Sequence, residues 1–202
     1  MKRLRIAIIG IEGSGKSWLI GKALETLGDR GSTITFSRIP GIQAGGRIIL
    51  RTWRWAHAKH YKLPIILLAA LVTVLYGLAQ WRMRKVEVLF LEHYPLIDLP
   101  AFGALYANRA GSFLGHMVAW IFPKPNIILF LDIPIDVAEK RIRERGKPIQ
   151  LYESCVSLAK LHDLLRERAL SFPNSFLCNA LSPDLPKLLQ DIMACSLKET
   201  VP

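Results

Sequence analysis

The sequence predicts an α/β fold in which a mostly parallel sheet carries helices on both faces. Two observations predict it. Short apolar runs alternate with helical patterns along the whole chain. The first of those runs leads through a glycine-rich turn straight into a helix. No repeat, linker or low-complexity tract interrupts the alternation, and 202 residues suit a single domain, 1–202, with a sizeable core.

Leu4 to Ile9 has the composition of a buried strand. The next eight residues, Gly10-Ile11-Glu12-Gly13-Ser14-Gly15-Lys16-Ser17, fill the pattern G-x-x-x-x-G-K-[ST], a phosphate-binding P-loop. Gly10, Gly13 and Gly15 let the backbone curl until successive N–H groups point at one anion. The positive end of the following helix lies at the same place. Lys16 can reach the β- and γ-phosphates, and the Ser17 hydroxyl can ligate Mg²⁺. ATP is expected along Gly10, Glu12, Gly13, Ser14, Gly15, Lys16, Ser17 and Trp18. The plain alternative is a chance glycine turn before a helix. That helix reads from Trp18 to Leu27 and stops at Gly28.

Ile34 to Ser37 reads as a second strand, followed by turn residues from Pro40-Gly41 to Gly45-Gly46. Arg47 to Lys62 is basic and aromatic: Trp53, Trp55 and Tyr61 lie among Arg47, Arg51, Arg54, Lys59 and Lys62. Pro64 to Gln80 is apolar and uncharged, and Trp81 to Lys85 is basic again. Seventeen apolar residues are at the lower edge of a spanning length, and a span would separate the P-loop from the later strands of the same sheet. A buried helix is the leading reading, with a membrane-contacting helix as the alternative. Val86 to Leu91 and Ile127 to Leu131 read as strands. Pro134 opens a helix from Ile135 to Arg145, which Gly146 stops. Leu158 to Leu170 is an amphipathic helix with His162, Asp163, Arg166, Glu167 and Arg168 on its polar side. Ser175 to Cys178 is a last short strand and Pro186 to Leu197 a last helix.

Hydrophobic residues at 51% and charged residues at 21% fit a folded chain and exclude a disordered one. The net charge of +11 points to a polyanionic partner: a nucleotide, a nucleic acid or an anionic membrane surface. The three cysteines, Cys155, Cys178 and Cys195, match no zinc spacing and are too few for a disulfide framework. Met1-Lys2-Arg3-Leu4-Arg5 looks like the start of a signal peptide, but the apolar stretch behind it is short and runs into the P-loop. Free thiols and an ATP site suggest the cytoplasmic side.

More than the P-loop matches one family. Ser37-Arg38-Ile39-Pro40-Gly41 follows the second predicted strand, Glu92-His93-Tyr94-Pro95 the third, and Leu131-Asp132-Ile133-Pro134 the fourth. Arg141, Arg143 and Arg145 then precede Gly146, and Cys178-Asn179-Ala180 ends the last strand. In this order the chain resembles the thymidylate kinase-like branch of P-loop nucleoside and nucleotide kinases. The family pattern has Arg-Glu-Pro-Gly, Asp-Arg-Tyr or Glu-Arg, Leu-Asp-Val-Pro, an arginine-rich lid, and Ile-Asp-Ala at these places. The resemblance covers nearly the whole chain and implies the P-loop NTPase three-layer fold, with a lid region near 141–150. It implies an ATP-dependent phosphotransferase acting on a nucleotide or nucleoside-like small-molecule acceptor. The departures fall on the acceptor side. Ile39 replaces the Glu of the turn, His93 replaces an Arg, and Leu68 to Thr73 lacks the family's Asp-Arg pair.

Glu92, at the carboxyl edge of a predicted strand, can accept an acceptor proton or hold Mg²⁺ through water; otherwise it is a surface Glu. Asp132 is a second metal candidate, or the cap of the helix behind Pro134. Arg141 and Arg145, at i, i+4 spacing, can neutralise charge on a transferring phosphoryl group, whereas a solvated face paired with Glu139 and Glu144 is the alternative. Lys16, Glu92, Arg141 and Arg145 are therefore the catalytic candidates. Ser17, Glu92 and Asp132 are the metal candidates, and Arg38, Arg47 and His93 the substrate-binding ones. The competing function is a nucleotide-binding regulatory or membrane-associated module without metabolic kinase activity. Candidate partners beyond ATP and the acceptor are an anionic membrane surface and a second copy of the chain.

Overall fold

Apolar runs fix the sheet. The computed structural model describes residues 3–34, 86–92, 94, 97, 98, 101, 124–145 and 155–198. Its strands are β1 (Leu4–Ile9), β2 (Gly31–Ile34), β3 (Val88–Leu91), β4 (Ile127–Asp132) and β5 (Ser175–Asn179). Its helices, among the described residues, include α1 (Lys16–Leu27), α2 (Ile135–Glu144), α3 (Cys155–Leu170) and α4 (Leu185–Lys198). All of β3 and nearly all of β1 and β4 are buried, as strands covered on both faces must be.

The strand order is β2-β3-β1-β4-β5. β1 runs parallel to both neighbours, with Leu4 opposite Val88 on β3 and Ile6 opposite Ile127 on β4. β4 is parallel to β5, with Ile128 opposite Ser175. Parallel neighbours need long crossovers, and α2 and α3 lie in the one from β4 to β5. The order reverses around β1, so its carboxyl end opens onto the crevice where such sheets bind ligands.

Alternation along each strand divides the core. Ile6 and Ile8 of β1 pack with Phe90, Leu129 and Leu131 against Leu19, Ala23 and Leu27 of α1 and Leu189 and Met193 of α4. α3 packs against β4 and β5 and buries Leu158, Leu161, Leu165 and Ala169 at helical spacing. Contacts divide the chain into two compact units. Residues 1–33, 86–92 and 124–202 form the first; residues 34–85 and 93–123 form the second. In the second unit, Tyr94 O accepts from the N–H groups of Ile97 at 2.9 Å and Asp98 at 3.0 Å, making one helical turn.

Several expectations shift. The second strand was expected over Ile34 to Ser37, but pairing begins at Gly31, directly after the 3₁₀ turn Gly28–Arg30. α3 starts at Cys155, earlier than the Leu158 that its apolar spacing marks. Cys178 is buried, which pushes its thiol above the ordinary value, while Cys195 is exposed. Arg38, Arg47, Arg51, Arg54, His93, the apolar run 64–80 and the lid residues 146–150 lie outside the described residues. Among the described residues, no helix is long and apolar enough to cross a membrane.

Phe90 is fully buried on β3, an interior strand of the sheet. Phe90→Ala is expected to lower unfolding stability by about 3–5 kcal/mol in a urea titration. A loss under ~1 kcal/mol would contradict its place in the core.

Candidate functional site

The site begins where β1 ends. The loop turns through Gly13 (φ +81°) and Gly15 (φ +91°), backbone values that side-chain-bearing residues rarely adopt. A Cβ on Gly13 would also lie 2.7 Å from the carbonyl oxygen of Ala138, so the loop packs directly on the α2 backbone. Gly15 caps α1 without a side-chain hydrogen bond, and the first turn of α1 holds no acid. The N–H groups of that turn are left to an external acceptor, and the helix dipole favours an anion there.

Lys16 is buried at the first residue of α1. Its Nζ donates to the carbonyl oxygens of Gly10 and Ile11, both at 2.8 Å. An ammonium has three donors, so one is left for a ligand while the other two fix the group over the loop. Ser14 Oγ is buried beside it with no hydrogen-bond partner among the described residues. On the next residue, Ser17 Oγ donates to Glu92 Oε1. Glu92 follows β3, so the pairing of β3 with β1 carries its carboxylate to the mouth of the P-loop.

α2 supplies the opposite wall. Arg141 Nη1 donates to Gly13 O at 3.1 Å, and Arg145 Nη1 to Glu12 Oε2 at 3.1 Å. Arg143 points elsewhere and pairs with Glu139 at 2.7 Å. Residues four apart share a helix face and the one between them does not, which separates the three arginines. Arg141 and Arg145, together with residues 12–17, Trp18 and Glu92, line a groove of about 690 Å³.

Asp132 is placed differently from its expected roles. It does not line the groove, and Pro134, not Asp132, stands at the N-cap of α2, with no side-chain cap bond. Its Oδ1 instead meets His162 Nε2 at 2.8 Å. His162 was assigned to the polar side of its helix, yet its side chain is 12% exposed and its ring stands edge-on to Phe130 at 5.3 Å. Position 162 borders the stripe of Leu158, Leu161 and Leu165, and the Asp132 carboxylate draws it inward.

Sequence reasoning missed the far end of the groove. Ala180, Leu181, Ser182, Pro183 and Leu185 line it, in the loop joining β5 to α4. Ala180 N–H donates to Asp132 O at 2.8 Å and Leu181 N–H to Asn179 Oδ1 at 2.9 Å, which pins the loop to the sheet edge. The available signal was positional: these residues follow the carboxyl end of a strand in the same sheet, one strand beyond β1's neighbour β4.

Known proteins share sequence and fold with this chain. No family model matches the chain. It is 27% identical over 161 residues to a probable thymidylate kinase 1 of Saccharolobus solfataricus, covering 78% of this chain and 79% of that protein. A structure of deoxyadenosine kinase from M. mycoides, solved with dCMP and a flexible dCDP, superposes with a TM-score of 0.69 at 15% identity, covering 95% of this chain and 100% of that one. The same protein with bound dCTP gives a TM-score of 0.66 at 16% identity over the same shares. These matches support a P-loop nucleotide kinase family for the chain. The structural likeness carries the fold, and the thymidylate kinase match extends over most of both sequences. The P-loop motif is present in this chain residue by residue, from Gly10 to Ser17.

Two glycine substitutions test the loop geometry. Gly13→Ala is expected to lose about 1–3 kcal/mol in thermal unfolding, because it meets both an unfavourable φ and a fixed carbonyl. Gly21→Ala, in α1 with nothing within 4 Å of a Cβ, is expected to be neutral or to gain up to about 1 kcal/mol. Equal effects at both positions would contradict the packing of the loop on α2.

Proposed function

We propose that the chain transfers the γ-phosphoryl group of ATP to the hydroxyl or phosphate oxygen of a nucleoside or nucleotide acceptor. The observation that carries this reading is the contact of Ser17 with Glu92 beside the Lys16 ammonium. It joins an anion cradle to a carboxylate at the edge where an acceptor would enter.

The triphosphate would lie along Gly13 to Ser17, held by backbone N–H groups, the third Lys16 donor and the α1 dipole. The base would lie toward the β5–α4 loop, whose Leu181 and Pro183 offer apolar surface, with the exposed Trp18 near the phosphate end. Ser17 and Glu92 place two hard oxygen donors side by side, which suits Mg²⁺. Among the described residues there is no cluster of three or more His, Cys, Asp or Glu side chains that could hold a metal. Mg²⁺ in such kinases is shared with substrate phosphates, so two protein oxygens suffice. When bound, the ion would offset charge on the β- and γ-oxygens. Asp132 is not included in this set, since His162 holds its carboxylate.

Glu92 would orient the acceptor oxygen and, where that oxygen is a hydroxyl, receive its proton. Arg141 and Arg145 would neutralise the charge that spreads over the phosphoryl oxygens in the transition state. Arg38, Arg47 and His93 remain the acceptor-side proposals drawn from sequence. Catalysis by this arrangement is positioning and charge neutralisation, with no covalent enzyme intermediate.

An anionic surface is proposed as a second partner on a separate observation. Residues 34–85 hold nine basic side chains (Arg38, Arg47, Arg51, Arg54, Lys59, Lys62, Arg82, Arg84 and Lys85) and no Asp or Glu. Nine of the eleven net positive charges therefore fall in this stretch, beside Trp53, Trp55 and Trp81. Vesicles containing phosphatidylserine are expected to float the protein at low salt and release it at 0.5 M NaCl; equal flotation with neutral vesicles would contradict this.

For the main reading, ATP turnover against a panel of nucleosides and nucleoside monophosphates is expected to rise with one acceptor class. With a hydroxyl acceptor, Glu92→Gln is expected to lower kcat by roughly 10²–10⁴-fold, the range of a lost general base. Tight ATP binding without acceptor-dependent turnover would overturn it and favour a regulatory module.

A further inference from the structure

A carboxylate is an odd side chain in a loop built to receive a polyanion. Glu12 is the one acid between Gly10 and Ser17. By repulsion alone it would weaken phosphate binding. Its contact gives it another use. Glu12 Oε2 accepts from Arg145 Nη1 at 3.1 Å, with the two side chains only 34% and 25% exposed. The neighbouring loop residue does the same for the arginine one turn earlier, since Gly13 O accepts from Arg141 Nη1 at 3.1 Å. Two adjacent loop residues thus fix Arg141 of α2 and Arg145, which caps its end, while Arg143 between them pairs with Glu139 away from the loop.

The charges explain why this anchoring is needed. Lys16, Arg141 and Arg145 all line one groove and repel one another. A long arginine side chain would otherwise scatter over many rotamers, and ordering it during binding weakens the ligand. A carboxylate on the loop offsets the repulsion and orders the guanidinium beforehand. A guanidinium has five N–H donors, and the contact to Glu12 uses one of them.

We propose that Glu12 is a positioning residue for Arg145: it holds the guanidinium over the P-loop, where it meets the phosphate chain of the bound nucleotide. The proposal rests on the nucleotide-binding reading above and adds to it why an acid is tolerated at this place.

Positioning and charge predict opposite signs. If Glu12 acted only as a charge, Glu12→Gln would tighten nucleotide binding. If it positions Arg145, Glu12→Gln weakens it. The test is fluorescence anisotropy with N-methylanthraniloyl-ATP and Mg²⁺ on the full chain. Glu12→Gln and Arg145→Gln are each expected to raise Kd about tenfold, the scale of one charge-assisted hydrogen bond. The double variant is expected to bind no more weakly than Arg145→Gln alone, because both changes remove one interaction. Unchanged or tighter binding by Glu12→Gln overturns the proposal, and so does a further tenfold loss in the double variant. Failure of the parent to bind the probe instead overturns the nucleotide-site reading itself. Melting curves check that each variant is folded. Should Glu12→Gln unfold, Arg145→Lys keeps the charge and removes the fork. A Kd close to the parent's for that variant overturns the proposal, and a tenfold rise supports it.

Discussion

The Lys16 ammonium is tied to the carbonyl oxygens of Gly10 and Ile11 by two 2.8 Å hydrogen bonds, and the rest of the site is built around that attachment. A buried ammonium is costly unless it is hydrogen-bonded. The loop meets this need with its own backbone, which must turn back on itself to do so. Glycine at 13 and 15 permits that turn, and the absence of a Cβ at 13 lets α2 approach the loop. The same curvature that satisfies Lys16 therefore brings Arg141 and Arg145 to the groove.

Sheet topology then decides which side chains can meet the loop. β1 lies between β3 and β4, so the residues after those two strands emerge beside it. Glu92, after β3, reaches Ser17. Asp132, at the end of β4, reaches His162 of α3, while its backbone oxygen holds Ala180 at the start of the β5–α4 loop. Two acids at the carboxyl ends of the strands that flank β1 thus have different work. One faces the phosphate site, and the other braces α3 and the far wall of the groove. The arginines show the same division on a helix, where position 143 serves the surface and positions 141 and 145 serve the loop.

Much of this was legible in the sequence because it depends on local patterns. The loop motif marked β1, the turn and α1 together, since strand, glycine turn and helix must be contiguous to bind phosphate. The i, i+4 relation of Arg141 and Arg145 followed from helical period alone. His162 was not legible. Its helix position is at the border of the apolar stripe, and its direction is set by Asp132, thirty residues away. The start of β2 was misplaced because the apolar run marks the strand's most hydrophobic part, whereas pairing begins at Gly31. The β5–α4 wall was missed for a related reason. Leu181 and Pro183 carry no motif, and only the strand order shows that they share a groove with Lys16.

The most direct measurement is calorimetric titration of the parent and of Lys16→Ala with ATP and Mg²⁺. If the ammonium held by Gly10 and Ile11 is what grips the triphosphate, the parent binds saturably at one site and the variant loses at least tenfold in affinity, the scale of a lost charged hydrogen bond. Equal affinity in the two proteins would contradict it.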